Sequence, residues 1–245
     1  MLIAVASTKG SAGVTTLAVV LAAVWPGDDV PIVVEADCAG GDLGAWHWLP
    51  DSPGVATLAT QSRTGSVALD AHLTRLPCGV DVALAPAGRH PATVAVGLLM
   101  EANLALWTKE RPTIADVGRL EPGAPSAAVA EQADTVLVLA RGDEGSLLRL
   151  ADADLPSGTT RLVLVDGSRY THAEITERTG LQVAAEVPWD RRAADVVAGR
   201  RKVSKAWTRR GLPAAARALA TSLATPPTVP APAVIRNNRG ARGEA

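Results

Sequence analysis

The sequence predicts a doubly wound α/β fold on a mostly parallel sheet. Three observations lead there. Short β-branched apolar runs recur along the chain, with Ala- and Leu-rich stretches of helical length between most of them. Several runs are continuously apolar rather than alternating, as befits strands covered on both faces. At 245 residues and 47% hydrophobic content, the chain can bury roughly 70% of its unfolded surface and needs no disulfide or metal staple. Strands alternating with helices then mean crossover connections and a parallel sheet.

The strands are expected at Leu2–Ser7, Val30–Glu35, Val80–Ala85, Thr113–Asp116, Thr135–Ala140, Arg161–Val165 and Val183–Val187, with helices such as 15–24 and 124–132 between them. A last helix starts at Pro213, a favourable first-turn residue, with Leu212, Leu219 and Leu223 on one side and Arg217 off it. Residues 1–224 form one domain in this reading. Residues 225–245, Pro-rich and then basic, read as a disordered tail.

Two cysteines, Cys38 and Cys78, make neither a disulfide framework nor a ligand pattern, which excludes zinc fingers and iron–sulfur proteins. The longest apolar run, 14–25, falls short of the about 20 residues that span a bilayer, and no basic stretch precedes Leu2–Ala6 as in a signal peptide. The expectation is a cytoplasmic protein. Residues 191–245 carry 12 Arg or Lys against Asp195 and Glu244, a balance of +10, while residues 1–190 carry −11. An acidic body with a basic end points to an anionic partner, or to no more than a solvated helical face.

The first strand runs into Lys9-Gly10-Ser11-Ala12-Gly13-Val14-Thr15-Thr16 and then an apolar helix. Small residues let backbone N–H groups turn inward, and the helix start adds partial positive charge, so the segment suits a phosphate. An ordinary βα turn of small residues is the bland alternative. This loop resembles the deviant Walker A loop of the MinD/ParA ATPases, K-G-G-x-G-K-T-T, and the resemblance implies a P-loop NTPase fold binding ATP or ADP with magnesium. It places Lys9, Gly10, Ser11, Ala12, Gly13, Val14, Thr15, Thr16 and Asp116 around the nucleotide. In that family the first lysine, here Lys9, crosses a dimer to the partner's ATP. The second, which holds the β/γ phosphates, falls on Val14. Thr15 would ligate magnesium. Asp116, in the Walker B-like Thr113–Asp116 run, would stand behind it.

Other segments of about residues 1–220 resemble the family in order. Val33-Val34-Glu35-Ala36-Asp37 is similar to switch I, with Asp37 the carboxylate that positions water and Glu35 in place of the first aspartate. Val187-Pro188-Trp189-Asp190 resembles the adenine-side loop, although the asparagine expected near Val165-Asp166 is absent. The loop K-G-S-x-G-V-T-T and a V-E-A-D…G-G-D-L segment are closest to actinobacterial CpaE/TadZ-like and septum-site-determining members. They imply a homodimeric positioning or assembly factor for a pilus, secretion or division machine, peripheral at the inner membrane face.

Losing the loop lysine removes a charge-assisted hydrogen bond of roughly 1.5–3 kcal/mol, about 10- to 150-fold in affinity. Turnover is therefore expected to be weak or absent, a pseudo-ATPase. Arg141 and Arg119 are the candidates to supply the missing charge. Smaller signals are weighed beside it. Gly88-Arg89-His90 follows a strand end and reads first as a bland turn, second as a ligand loop. The four histidines lack metal-ligand spacing. Trp46 and Trp48 cannot share one buried helix face, so one is free for a partner if the other packs. The basic residues Arg200, Arg201, Lys202, Lys205, Arg209 and Arg210 could meet an anionic membrane, DNA or an acidic protein. The rival functions are a partition ATPase binding DNA nonspecifically and a scaffold that binds no nucleotide.

Overall fold

The computed structural model describes residues 1–10, 12–102 and 104–225; Ser11 and most of the expected tail lie outside them. In chain order the elements are β1 (Leu2–Ser7), α1 (Val14–Ala23), β2 (Ile32–Glu35), α2 (Leu43–His47), α3 (Val55–Ser62), β3 (Thr74–Arg75), β4 (Asp81–Ala83), α4 (Arg89–Met100) and α5 (Ala105–Thr108). There follow β5 (Thr113–Arg119), α6 (Pro125–Glu131), β6 (Thr135–Gly142), α7 (Glu144–Ala151), β7 (Thr160–Ser168), α8 (His172–Thr179), β8 (Val183–Val187), α9 (Arg191–Val197) and α10 (Gly211–Ala224).

The eight strands form one sheet in the order β3-β4-β2-β5-β1-β6-β7-β8. Every neighbouring pair is parallel except β3 with β4. The chain first winds outward from β1 to β2 and β4, returns to insert β5 beside β1, then adds β6, β7 and β8 on the other side. The winding thus reverses around β1, and in such sheets ligands bind beyond the carboxyl ends of the strands at that reversal.

Period-two alternation divides β1 between two cores. Ile3 and Val5 face α1, α9 and α10, whereas Leu2, Ala4 and Ala6 face α3, α4, α6 and α7. With no Phe and one Tyr in the chain, both layers are built from Val, Leu, Ile and Ala, and the small alanines let helices lie close to the sheet. In α10, Leu212, Ala216, Leu219 and Ala220 are buried beside α1. Its apolar side is therefore consumed by the domain.

Several boundaries differ from the sequence reading. β2 begins at Ile32 rather than Val30, because Pro31 precedes it, and β4 is shorter than 80–85. β5, β6 and β7 run further, to Arg119, Gly142 and Ser168. The helix expected from Pro213 starts at Gly211, with Asp190 Oδ2 accepting from Leu212 N at 3.0 Å in its first turn. The antiparallel edge strand β3 had no signal, since its two residues carry no periodicity. No helix among the described residues is long and apolar enough to cross a membrane.

Candidate functional site

The link from β1 to α1 opens a cleft of about 500 Å³ at the carboxyl end of the sheet. Gly13 stands at the head of α1 with φ +87°, in the left-handed region that disfavours side chains. Among the described residues no side chain caps the first turn of α1, which leaves its N–H groups to whatever occupies the cleft. Gly10, Gly13, Val14, Thr15 and Thr16 line the cleft, and Ala12 lines a small apolar pocket next to it. Lys9 is exposed and does not line the cleft of its own chain. Val14 is only 6% exposed and packs into the core beneath α1, so the loop contributes no cation here.

Three carboxylates converge behind the loop from β2 and β5. Asp116 is buried; Thr15 hydrogen-bonds to its carboxylate, and Gly118 N donates to Oδ1 at 3.2 Å. Burial, with Glu35 and Asp37 nearby, raises the Asp116 carboxyl to about 7. Asp37 lines the cleft and is also pushed up, chiefly by burial. Its Oδ1 accepts from Ala39 N at 2.7 Å, which fixes the turn after β2.

Glu35 was read as a substitute for a switch aspartate. The structure gives it another job. It is 1% exposed, and its Oε1 accepts from Asp42 N and Leu43 N, both at 2.9 Å, while Oε2 accepts from Ala85 N at 3.0 Å. It thereby ties the loop before α2 to the end of β4, with burial raising its carboxyl to about 7. Gly41 packs so tightly there that a Cβ would strike Ala85 O and Glu35 Oε2.

The cations of the cleft come from outside the loop. Arg119, at the end of β5, and Arg89, at the start of α4, both line it. Arg89 pairs with Glu121 at 3.1 Å, whereas Arg119 makes no ion pair among the described residues. Of the Gly88–His90 segment, Arg89 is thus part of the cleft wall. Arg141 does not line the cleft but stacks on Trp189, which does, its guanidinium 5.2 Å from the ring centre. Trp189 separates the cleft from the apolar pocket of about 50 Å³, which Leu17, Val165, Val187 and Pro188 also line. Asp190 pins this loop, with Oδ1 accepting from Arg192 N and Ala193 N. Ser126 and Trp46 also line the cleft. Nothing in the local pattern around Ser126 marked it.

Of the other candidates, Trp48 is 95% exposed while Trp46 packs on the core. The described residues hold no group of three His, Cys, Asp or Glu placed for a metal ion. Arg200, Arg201, Lys202, Lys205, Arg209 and Arg210 are solvent-facing and outside the cleft.

The sequence matches no family model and no curated protein. Solved structures do match. A ParA family ATPase from Chlorobium tepidum TLS aligns with a TM-score of 0.71 at 17% identity, over 90% of this chain and 98% of that one. The septum site-determining protein MinD from Pyrococcus horikoshii OT3, complexed with Mg-ADP, gives 0.66 at 15% identity, over 91% and 96%. An ATP complex of McdA from Cyanothece gives 0.60 at 14%, over 89% and 93%. At such identities the likeness establishes the fold. The chain has the P-loop NTPase fold of the MinD/ParA type.

Proposed function

We propose that the protein is a nucleotide-binding positioning or assembly factor whose ATP site has lost most of its hydrolytic power. One observation carries this reading: a glycine-rich turn, the uncapped start of α1 and the Thr15–Asp116 hydrogen bond meet in one cleft of about 500 Å³. Backbone N–H groups and a helix start favour a polyphosphate. The Thr15 hydroxyl and the Asp37 carboxylate offer the hard oxygen donors that magnesium prefers, with Asp116 behind Thr15 to orient it. The metal, when bound with nucleotide, neutralises phosphate charge.

The chain's own residues then divide the work. The loop amides hold phosphate oxygens, and Asp37, fixed by Ala39 N, lines the cleft where it would orient a water. Val14 cannot spread charge over a transferred phosphoryl group, a role that lysine fills in P-loop enzymes. Slow or absent turnover follows. The relatives in fold are named as a ParA family ATPase, a septum site-determining protein with Mg-ADP and an McdA with ATP, which supports a role in placing other assemblies. We place the target in a pilus, secretion or division machine. Lys9, exposed beside its own cleft, would reach a second copy.

A calorimetric titration of the full chain with Mg-ATP tests the reading. Binding in the micromolar to millimolar range with negligible phosphate release is the expected result. No heat with ATP or ADP would leave the nucleotide-free scaffold, and turnover at the rate of a working partition ATPase would refute the loss of catalysis.

A further inference from the structure

We propose that Arg119 and Ser126 together form the terminal-phosphate clamp of this cleft, replacing from the opposite side the charge that the loop lacks at Val14. The inference rests on the nucleotide reading above and adds the residues that hold the β/γ end.

A register shift aims Arg119. Along β1 and β5, Val5 pairs with Asp116 but Ala6 pairs with Gly118, so Val117 is an extra residue on β5. Such a bulge bends its strand and redirects the side chains beyond it. Gly118 makes the turn possible with φ +65°. Pairing resumes between Ser7 and Arg119, and Leu120 N donates to Ser7 O at 2.9 Å. The base of the arginine is thereby fixed beside Ser7, the last residue of β1, and Arg119 lines both the cleft and the pocket beside it that Thr8 and Glu131 line.

Competing cations are engaged or elsewhere. Arg89 is paired with Glu121, Arg141 lies over Trp189, and Lys9 is outside the lining. Arg119 makes no ion pair among the described residues, and a guanidinium so placed at a phosphate-sized cleft suits bidentate recognition of phosphate oxygens.

Ser126 supplies an independent observation. It is 1% exposed and lines the same cleft, yet its hydroxyl has no hydrogen-bond partner, the only such buried side-chain atom among the described residues. Buried hydroxyls almost always find a partner, and one that does not calls for an explanation. A phosphate oxygen would complete it. Ser126 belongs to α6, and both α6 and Val117 pack on the sheet face opposite α1. Phosphate would thus be gripped by the α1 loop from one face and by Arg119 and Ser126 from the other.

The test is calorimetry on the full chain with Mg-ATP, Mg-ADP and AMP, for wild type and for Arg119→Ala, Arg119→Lys and Ser126→Ala. Arg119→Ala should weaken ATP binding by about 10-fold or more, the range of one charge-assisted bond, and leave AMP unchanged. Ser126→Ala should weaken ATP several-fold, and Arg119→Lys should keep part of the affinity. Adding Val14→Lys to Arg119→Ala should restore ATP binding. If wild type binds ATP and both alanine variants bind it equally, the clamp is wrong while the nucleotide reading stands. Equal losses for ATP and AMP would also overturn the clamp. Should wild type bind neither nucleotide nor tripolyphosphate, both fall. Arg119→Lys, which keeps the charge and stem, decides the matter if Arg119→Ala does not fold.

Discussion

The carboxylate of Asp37 rests directly on the Cα of Gly118, so that any Cβ at residue 118 would overlap it. The two residues come from different strands. Asp37 follows β2, Gly118 lies in β5, and Ala36 N donates to Asp116 O at 2.7 Å between them. The Asp37 carboxylate, the bulge before Arg119 and the Asp116 strand are thus one packed unit. A change at any of the three is felt at the other two.

Gly118→Ala should therefore be severe. A left-handed backbone costs a non-glycine residue about 1–2 kcal/mol, and the new methyl must also displace Asp37. We expect a loss of about 2–4 kcal/mol in stability by denaturant unfolding, together with loss of Mg-ATP binding. A stability change below about 1 kcal/mol would mean that the loop yields freely.

Val14→Lys should tighten Mg-ATP binding by about one order of magnitude or more. Val14 already lines the cleft from the first position of α1, so the longer side chain has somewhere to go. Stability should fall slightly, because an apolar core contact is lost. Unchanged affinity would show that another defect, such as the missing asparagine near Val165-Asp166, limits binding.

Stability should depend on pH in an unusual direction. Glu35 and Asp116 are raised by burial to about 7, above the ordinary carboxyl values that the unfolded chain shows. Between about pH 4.5 and 7 the folded state keeps protons that the unfolded state has released, so stability from these groups falls as pH rises. It is fully present below the unfolded values and gone above about pH 7. Asp116→Asn, neutral at every pH, should flatten this decline and be more stable than wild type at pH 8 by about 3–4 kcal/mol at most. The profile follows from urea unfolding at stepped pH. A wild-type stability rising through this window would count against the buried, protonated pair.

Lys9→Ala should leave stability unchanged, since Lys9 is exposed, and should abolish an ATP-promoted dimer. Nucleotide binding and association would then strengthen one another by the same free energy. Arg200→Glu with Arg201→Glu should impair localisation and leave dimerisation alone. Sedimentation with and without ATP checks the first pair of statements. A monomer in both conditions, or a dimer indifferent to Lys9→Ala, would refute the link.

By itself the sequence determined the doubly wound class, seven of the eight strands and the place of the glycine-rich turn before α1. These are local matters: apolar runs, small residues at a turn and the start of a helix are encoded within a few neighbouring positions. It also placed an apolar residue, Val14, at the first position of that helix. Only the tertiary structure decided what stands in the cleft. Arg119 and Arg141 were equal candidates in the sequence, and the bulge at Val117 put the first in the cleft while packing put the second over Trp189. Glu35 and Asp37, two residues apart, read as a pair, yet one is consumed by three backbone N–H groups from the α2 loop and β4 while the other lines the cleft. Ser126 had no signal, because an unpartnered hydroxyl is a property of its surroundings. Which side chains meet at a strand end depends on register and on how helices cover the sheet, and those are set by contacts between residues far apart in the chain.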